Sequence, residues 1–133
     1  MQTGLDLSFG DGDYSFRLPW AGCAEIERKS GAPIMEVYAR IMDVRASSAD
    51  VIEVIRQGLL GGKGGTVDGA AVQNTPHAVN ALIDRYVSGP DARPFLESWQ
   101  IAQAVLNAFM VGYEPAQKKS ADPMTAESPV QTE

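Results

Sequence analysis

Residues Leu5 to Trp20 read L-D-L-S-F-G-D-G-D-Y-S-F-R-L-P-W, and the reading of that stretch decides the fold class. Leu5, Leu7 and Phe9 alternate with polar residues, and so do Tyr14, Phe16 and Leu18. Gly10-Asp11-Gly12-Asp13 lies between them and tolerates positive φ, so the pattern predicts a two-stranded hairpin with one apolar face. Pro19 has no amide proton for a ladder and ends the second strand. From Trp20 onward the apolar period changes from two to about 3.6. An isolated hairpin is marginal in water, so helices or another chain must cover its apolar face.

Five helical segments follow. The first is expected from about Ala21 to Ser30, with Cys23, Ala24 and Ile26 near one side and Gly31 closing it in a left-handed conformation. A second begins near Pro33 and repeats Ile34, Val37, Tyr38, Ile41 and Met42. The third starts at Ser47 or Ser48, carries Val51, Val54, Ile55 and Leu59 inward and dissolves at Gly61-Gly62. Thr75-Pro76 supplies the cap and first-position proline of a fourth, with Val79, Leu82, Ile83, Tyr86 and Val87 as its stripe. A fifth runs from about Pro94 to Val111, with Phe95, Trp99, Ala102, Leu106 and Phe109 in register. The expected architecture is α+β and mostly α: an N-terminal two-stranded hairpin packed on about five helices, in one domain over residues 1–113. Gly61 to Asn74, rich in small residues, reads as a mobile connection. Residues 114–133 contain three prolines and no apolar stripe, the composition of a disordered tail.

Composition narrows the function classes. A chain of 133 residues with 44% hydrophobic content suits a single core. Seventeen acidic against 11 basic residues give a net charge of -6, and the basic residues cluster no further than Arg28-Lys29 and Lys118-Lys119. Tracking a nucleic acid backbone needs denser positive charge, so no nucleic-acid partner is expected. Cys23 is the single cysteine, which excludes an intrachain disulfide and suits a reducing bacterial cytoplasm. Met1 leads into a polar alternating segment and no apolar run has membrane-spanning length, so neither secretion nor a membrane partner is expected.

Each candidate for chemistry has a simpler reading. Lys63 sits among glycines as in a phosphate loop, but Gly64 follows it where that motif needs Ser or Thr, and a helix precedes it where the motif needs a strand. His77, the single histidine, reads as a solvated first-turn residue. Cys23 lies near a predicted helix start, which lowers a thiol pKa, yet no base stands beside it and a core role fits better. Asp11 and Asp13 stop short of a calcium loop and read as turn residues. Glu25 and Glu27 fall on different helix faces and cannot act as an acid/base pair. Trp20 and Trp99 read as core residues, although an amphipathic aromatic at an element boundary also suits an interface. No catalytic, cofactor-binding or metal-binding residue is expected, and no cofactor.

The order of these elements carries a resemblance. The hairpin L-x-L-x-F with Y-x-F-R-L, the helix A-G-C-A-E-I-E-R-K-S-G and the segment D-V-I-E-V-I-R-Q-G-L-L-G-G together resemble the gene-transfer-agent and phage tail-assembly chaperones. Ile26-Glu27 matches the family's aliphatic-glutamate pair, and Gly58 to Gly62 matches its glycine-leucine-x-glycine-glycine ending. The likeness covers roughly the first 110 residues. It implies a non-catalytic protein that binds the tape-measure protein before the tail tube polymerises and is absent from the finished particle, with other tail proteins as partners and homo-oligomers also open. The alternatives are a structural tail component retained in the particle and a small cytoplasmic enzyme of unrecognised type.

The expected partner surface is the junction of the hairpin with the end of the third helix, at Leu59, Leu60, Gly61 and Gly62. Adjacent leucines on a helix point about 100° apart, so one of the two should face outward. The unpaired hairpin edge would offer main-chain hydrogen bonds nearby.

Overall fold

A computed structural model of the chain describes residues 2–112. The segment 114–133 expected to be a disordered tail lies outside the described residues. The hairpin is present as β1 (Gly4–Phe9) and β2 (Gly12–Arg17), paired antiparallel from Gly4↔Arg17 to Phe9↔Gly12. Its two-residue turn takes φ 59° at Gly10, a left-handed value that glycine adopts without penalty. Leu5, Phe9, Tyr14, Phe16 and Leu18 are buried on the inner face, and the Phe9 ring meets those of Tyr14 and Phe16 edge-on at 6.0 and 5.8 Å.

The helices are α1 (Trp20–Ser30), α2 (Ile34–Met42), α3 (Ser48–Gly62), α4 (Pro76–Tyr86) and α5 (Phe95–Val111). Gly31 closes α1 at φ 70°. The Ser47 hydroxyl accepts the Asp50 amide while the Asp50 carboxylate accepts that of Ser47, a reciprocal cap on α3. Thr75 caps α4 through the Ala78 amide.

α3 is the centre of the molecule, packing against β2, α1, α4 and α5. Val51, Val54, Ile55 and Leu59 of its stripe are all fully buried, and each such side chain contributes about 1.5–3 kcal/mol relative to exposure. Glu53 is also buried in α3, where Lys29, Arg56 and Gln57 donate to its carboxylate. An acid out of water persists when its oxygens are occupied in this way.

Several expectations need correction, and Met42 and Phe95, read as stripe residues of α2 and α5, are among the exposed apolar side chains. Gly61 to Asn74 is an ordered stretch: the last turn of α3 runs into β3 (Gly64–Val67) and β4 (Ala70–Gln73), giving a four-stranded sheet in the order β1-β2-β3-β4. Asp68 and Gly69 form the turn at φ 52° and 81°, the two positive values that a tight hairpin of this twist requires. The hairpin edge at β2 is therefore occupied, with Asp13↔Thr66 and Tyr14↔Gly65 paired. Trp20 is 81% exposed, its ring resting edge-on against Phe109 at 5.3 Å. As the first residue of α1 it precedes the buried turn of Gly22 and Cys23 and points away from the core. Trp99 is half-buried, and its Nε1 donates to the Ile41 carbonyl at 2.9 Å.

Candidate functional site

The glycines that end α3 place a helix directly on a strand. A Cβ on Gly61 would overlap the Arg17 carbonyl oxygen, and one on Gly62 would overlap that of Ser15. Gly58, one turn earlier, sits against Phe16 and Val105. No residue larger than glycine allows the last turn of α3 to lie this close to the β2 backbone. Leu59 is fully buried within the core, and Leu60 is half-buried, the more exposed of the pair.

Beside this contact is a groove of about 830 Å³, lined by residues 2–6 at the start of β1, by Ser15, Phe16 and Arg17 of β2, and by Gly61, Gly62 and Lys63. It lies where sequence reasoning placed the partner surface. Gly61 and Gly62 line it and Leu59 and Leu60 do not. Arg17 stands opposite Gly4, and its stem lies 3.6 Å from where a Gly4 Cβ would be. With no side chain opposing it, the Arg17 stem crosses the sheet at Gly4. On the same face Ser15 donates to Asp6 at 2.6 Å.

Lys63 is held in place by the backbone around it. It caps α3 in a left-handed conformation at φ 77°, where glycine is the favoured residue. Its amide donates to the Leu59 carbonyl and its own carbonyl accepts the Asn74 amide, while the Asn74 side chain donates to Leu59 as well. Arg17 and Lys63 are alone among the described Lys and Arg residues in making no ion pair with a described acid. Sequence reasoning passed over both as groove residues. Arg17 is one polar residue of an alternating strand, and Lys63 stands out in the sequence only against the phosphate-loop pattern it fails.

Residues 3–112 match the family model described as "Phage tail tube protein, GTA-gp10". The chain belongs to this family. It is a tail protein of the phage and gene-transfer-agent class, and the matched span takes in all four strands, all five helices and every groove residue but Gln2. The description names a tube protein where the resemblance in the sequence named an assembly chaperone. No curated protein and no solved structure matches the chain.

Within this tail protein the other candidate residues have structural rather than chemical settings. Cys23 is buried, and burial together with the nearby Glu27 charge raises its thiol pKa, the reverse of an activated nucleophile. The Glu27 carboxylate accepts the Ile34 amide at 2.8 Å at the start of α2, whereas Glu25 pairs with Arg28. Asp11 accepts the Tyr14 hydroxyl at 2.6 Å across the first turn. His77 is exposed in the first turn of α4. No helix among the described residues is long and apolar enough to cross a membrane.

Proposed function

We propose that this tail protein is a non-catalytic assembly chaperone, which binds the tape-measure protein in the cytoplasm of the producing cell before the tube closes around it. The observation that carries the reading is the groove. It is open and lined mostly by polar residues and glycine, with Gly4, Gly61 and Gly62 leaving it unobstructed, which suits a segment that is held and then released. Contacts within a permanent polymer are larger and predominantly apolar. The net charge of -6 keeps such a carrier dispersed while its client remains exposed.

A second reading has a specific observation in its favour: the matched family is described as a tail tube protein. In that case the chain stays in the particle as a structural subunit. Quantitative mass spectrometry of purified particles, alongside co-purification from producing cells, separates the two. The chaperone reading expects the chain to co-purify with the tape-measure protein and to be missing from particles. Recovery in particles at a copy number like that of the major tail proteins would replace it with the structural reading.

A further inference from the structure

We infer that the groove between the outer face of β1–β2 and the end of α3 takes an extended acidic segment of the partner, gripped by Arg17 and Lys63. The inference rests on the groove being the partner surface and adds the chemistry that the surface selects.

Charge is the first support. In a chain of net charge -6, the two basic side chains without an ion pair to a described acid both line this one groove. Asp6 is its one acidic lining residue and is engaged by Ser15, so the lining carries two positive charges and one negative. A carboxylate-bearing segment is the ligand that such a lining complements. Conformation is the second support. Lys63 holds a left-handed backbone between Gly62 and Gly64. Val44, Lys63 and Asp68 are the described non-glycine residues with positive φ, and of the three Lys63 alone lines the groove, so its backbone strain lies at the proposed site. Shape is the third support. Residues 2–6, the approach to β1 and its first three residues, form one wall, a length of chain that spans a few extended residues of a ligand.

The test is a titration of the full-length protein, followed by amide NMR, with the capped peptide Gly-Glu-Ser-Glu-Gly and its Gln-for-Glu counterpart. The expected result is shifts confined to the groove amides, with the acidic peptide about threefold to tenfold tighter than the neutral one, the range that two exposed ion pairs supply. Arg17→Gln and Lys63→Asn should each remove most of that preference, whereas Arg45→Gln and Arg85→Gln should leave it. Lys63→Asn should also keep or raise the melting temperature, because asparagine tolerates the left-handed region. Equal affinity for the two peptides, or shifts elsewhere on the protein, would overturn the inference. The same variants co-expressed with the tape-measure protein separate the two levels. Lost peptide preference with intact co-purification refutes the groove as the client site and leaves the acid selectivity standing. Lost co-purification with no acid preference refutes the acid selectivity and leaves the groove as the client site.

Discussion

The two hairpins of the sheet are built on opposite principles. In β1–β2 the strands themselves carry the signal, with buried Leu5, Phe9, Tyr14 and Phe16 alternating with polar residues around a glycine turn. In β3–β4 the strand residues are Gly, Thr, Val, Ala and Gln, none of them fully buried. Their turn Asp68-Gly69 carries the hairpin information. The first hairpin is held by its own apolar face on the helices. The second is held by the edge of β2, which supplies a ladder for Gly65 and Thr66. A strand can thus be specified by what it buries or by what it pairs with, and the apolar pattern reports the first kind alone.

The sharpest way to break this contrast is to truncate one side chain in each hairpin. Phe16→Ala removes a fully buried ring and should cost about 3–5 kcal/mol. Val72→Ala removes a half-buried side chain and should cost about 1 kcal/mol or less. Urea unfolding of both variants checks this, and similar losses would mean that the second hairpin is part of the core. A substitution at the joint between the hairpins comes next. Gly62→Ala drives a methyl into the Ser15 carbonyl and should cost about 1–3 kcal/mol, with faster hydrogen exchange in β3 and β4 as well as in α3. Confinement of that effect to α3 would show that the second hairpin does not depend on the seating of the helix.

The smallest effect concerns the shared strand. Tyr14 pairs with Leu7 on one side and Gly65 on the other. Burial, reinforced by the Asp11 carboxylate, raises its phenol pKa well above the usual value. A pKa raised on folding gives stability that is complete below the unfolded value of about 10 and is lost above it. Tyr14→Phe should cost about 0.5–1.5 kcal/mol at neutral pH and flatten the fall in stability above pH about 10. An unchanged alkaline slope would exclude Tyr14 as its source.

Periodicity and punctuation were enough to read the first hairpin, the five helices and their caps, because each is written in residues a few positions apart. Pro19, the Ser47–Asp50 cap, Thr75-Pro76 and Gly31 all act within one turn of chain. The Asp68-Gly69 turn is equally local, but the small residues around it show no apolar alternation that would mark strands. The location of the candidate site was also within reach, since the run from Gly58 to Gly62 marked the end of α3 as unusual. Its meaning was not, because glycine serves mobility and close approach equally well, and the Ser15 and Arg17 carbonyls that decide between them lie more than forty residues away along the chain.

The amino-acid sequence by itself determined the α+β class, the first hairpin, the five helices in order, the capping of α3 and α4 and most of the inward faces, Met42 and Phe95 excepted, all of which follow from short-range backbone and side-chain preferences. Tertiary structure alone decided that β3 and β4 extend the sheet and that Trp20 faces outward. It also decided that Arg17 and Lys63 line one groove. These outcomes depend on which distant surfaces meet, and that is fixed when the whole core closes around α3 and leaves two cations with no acid of the described chain as a partner.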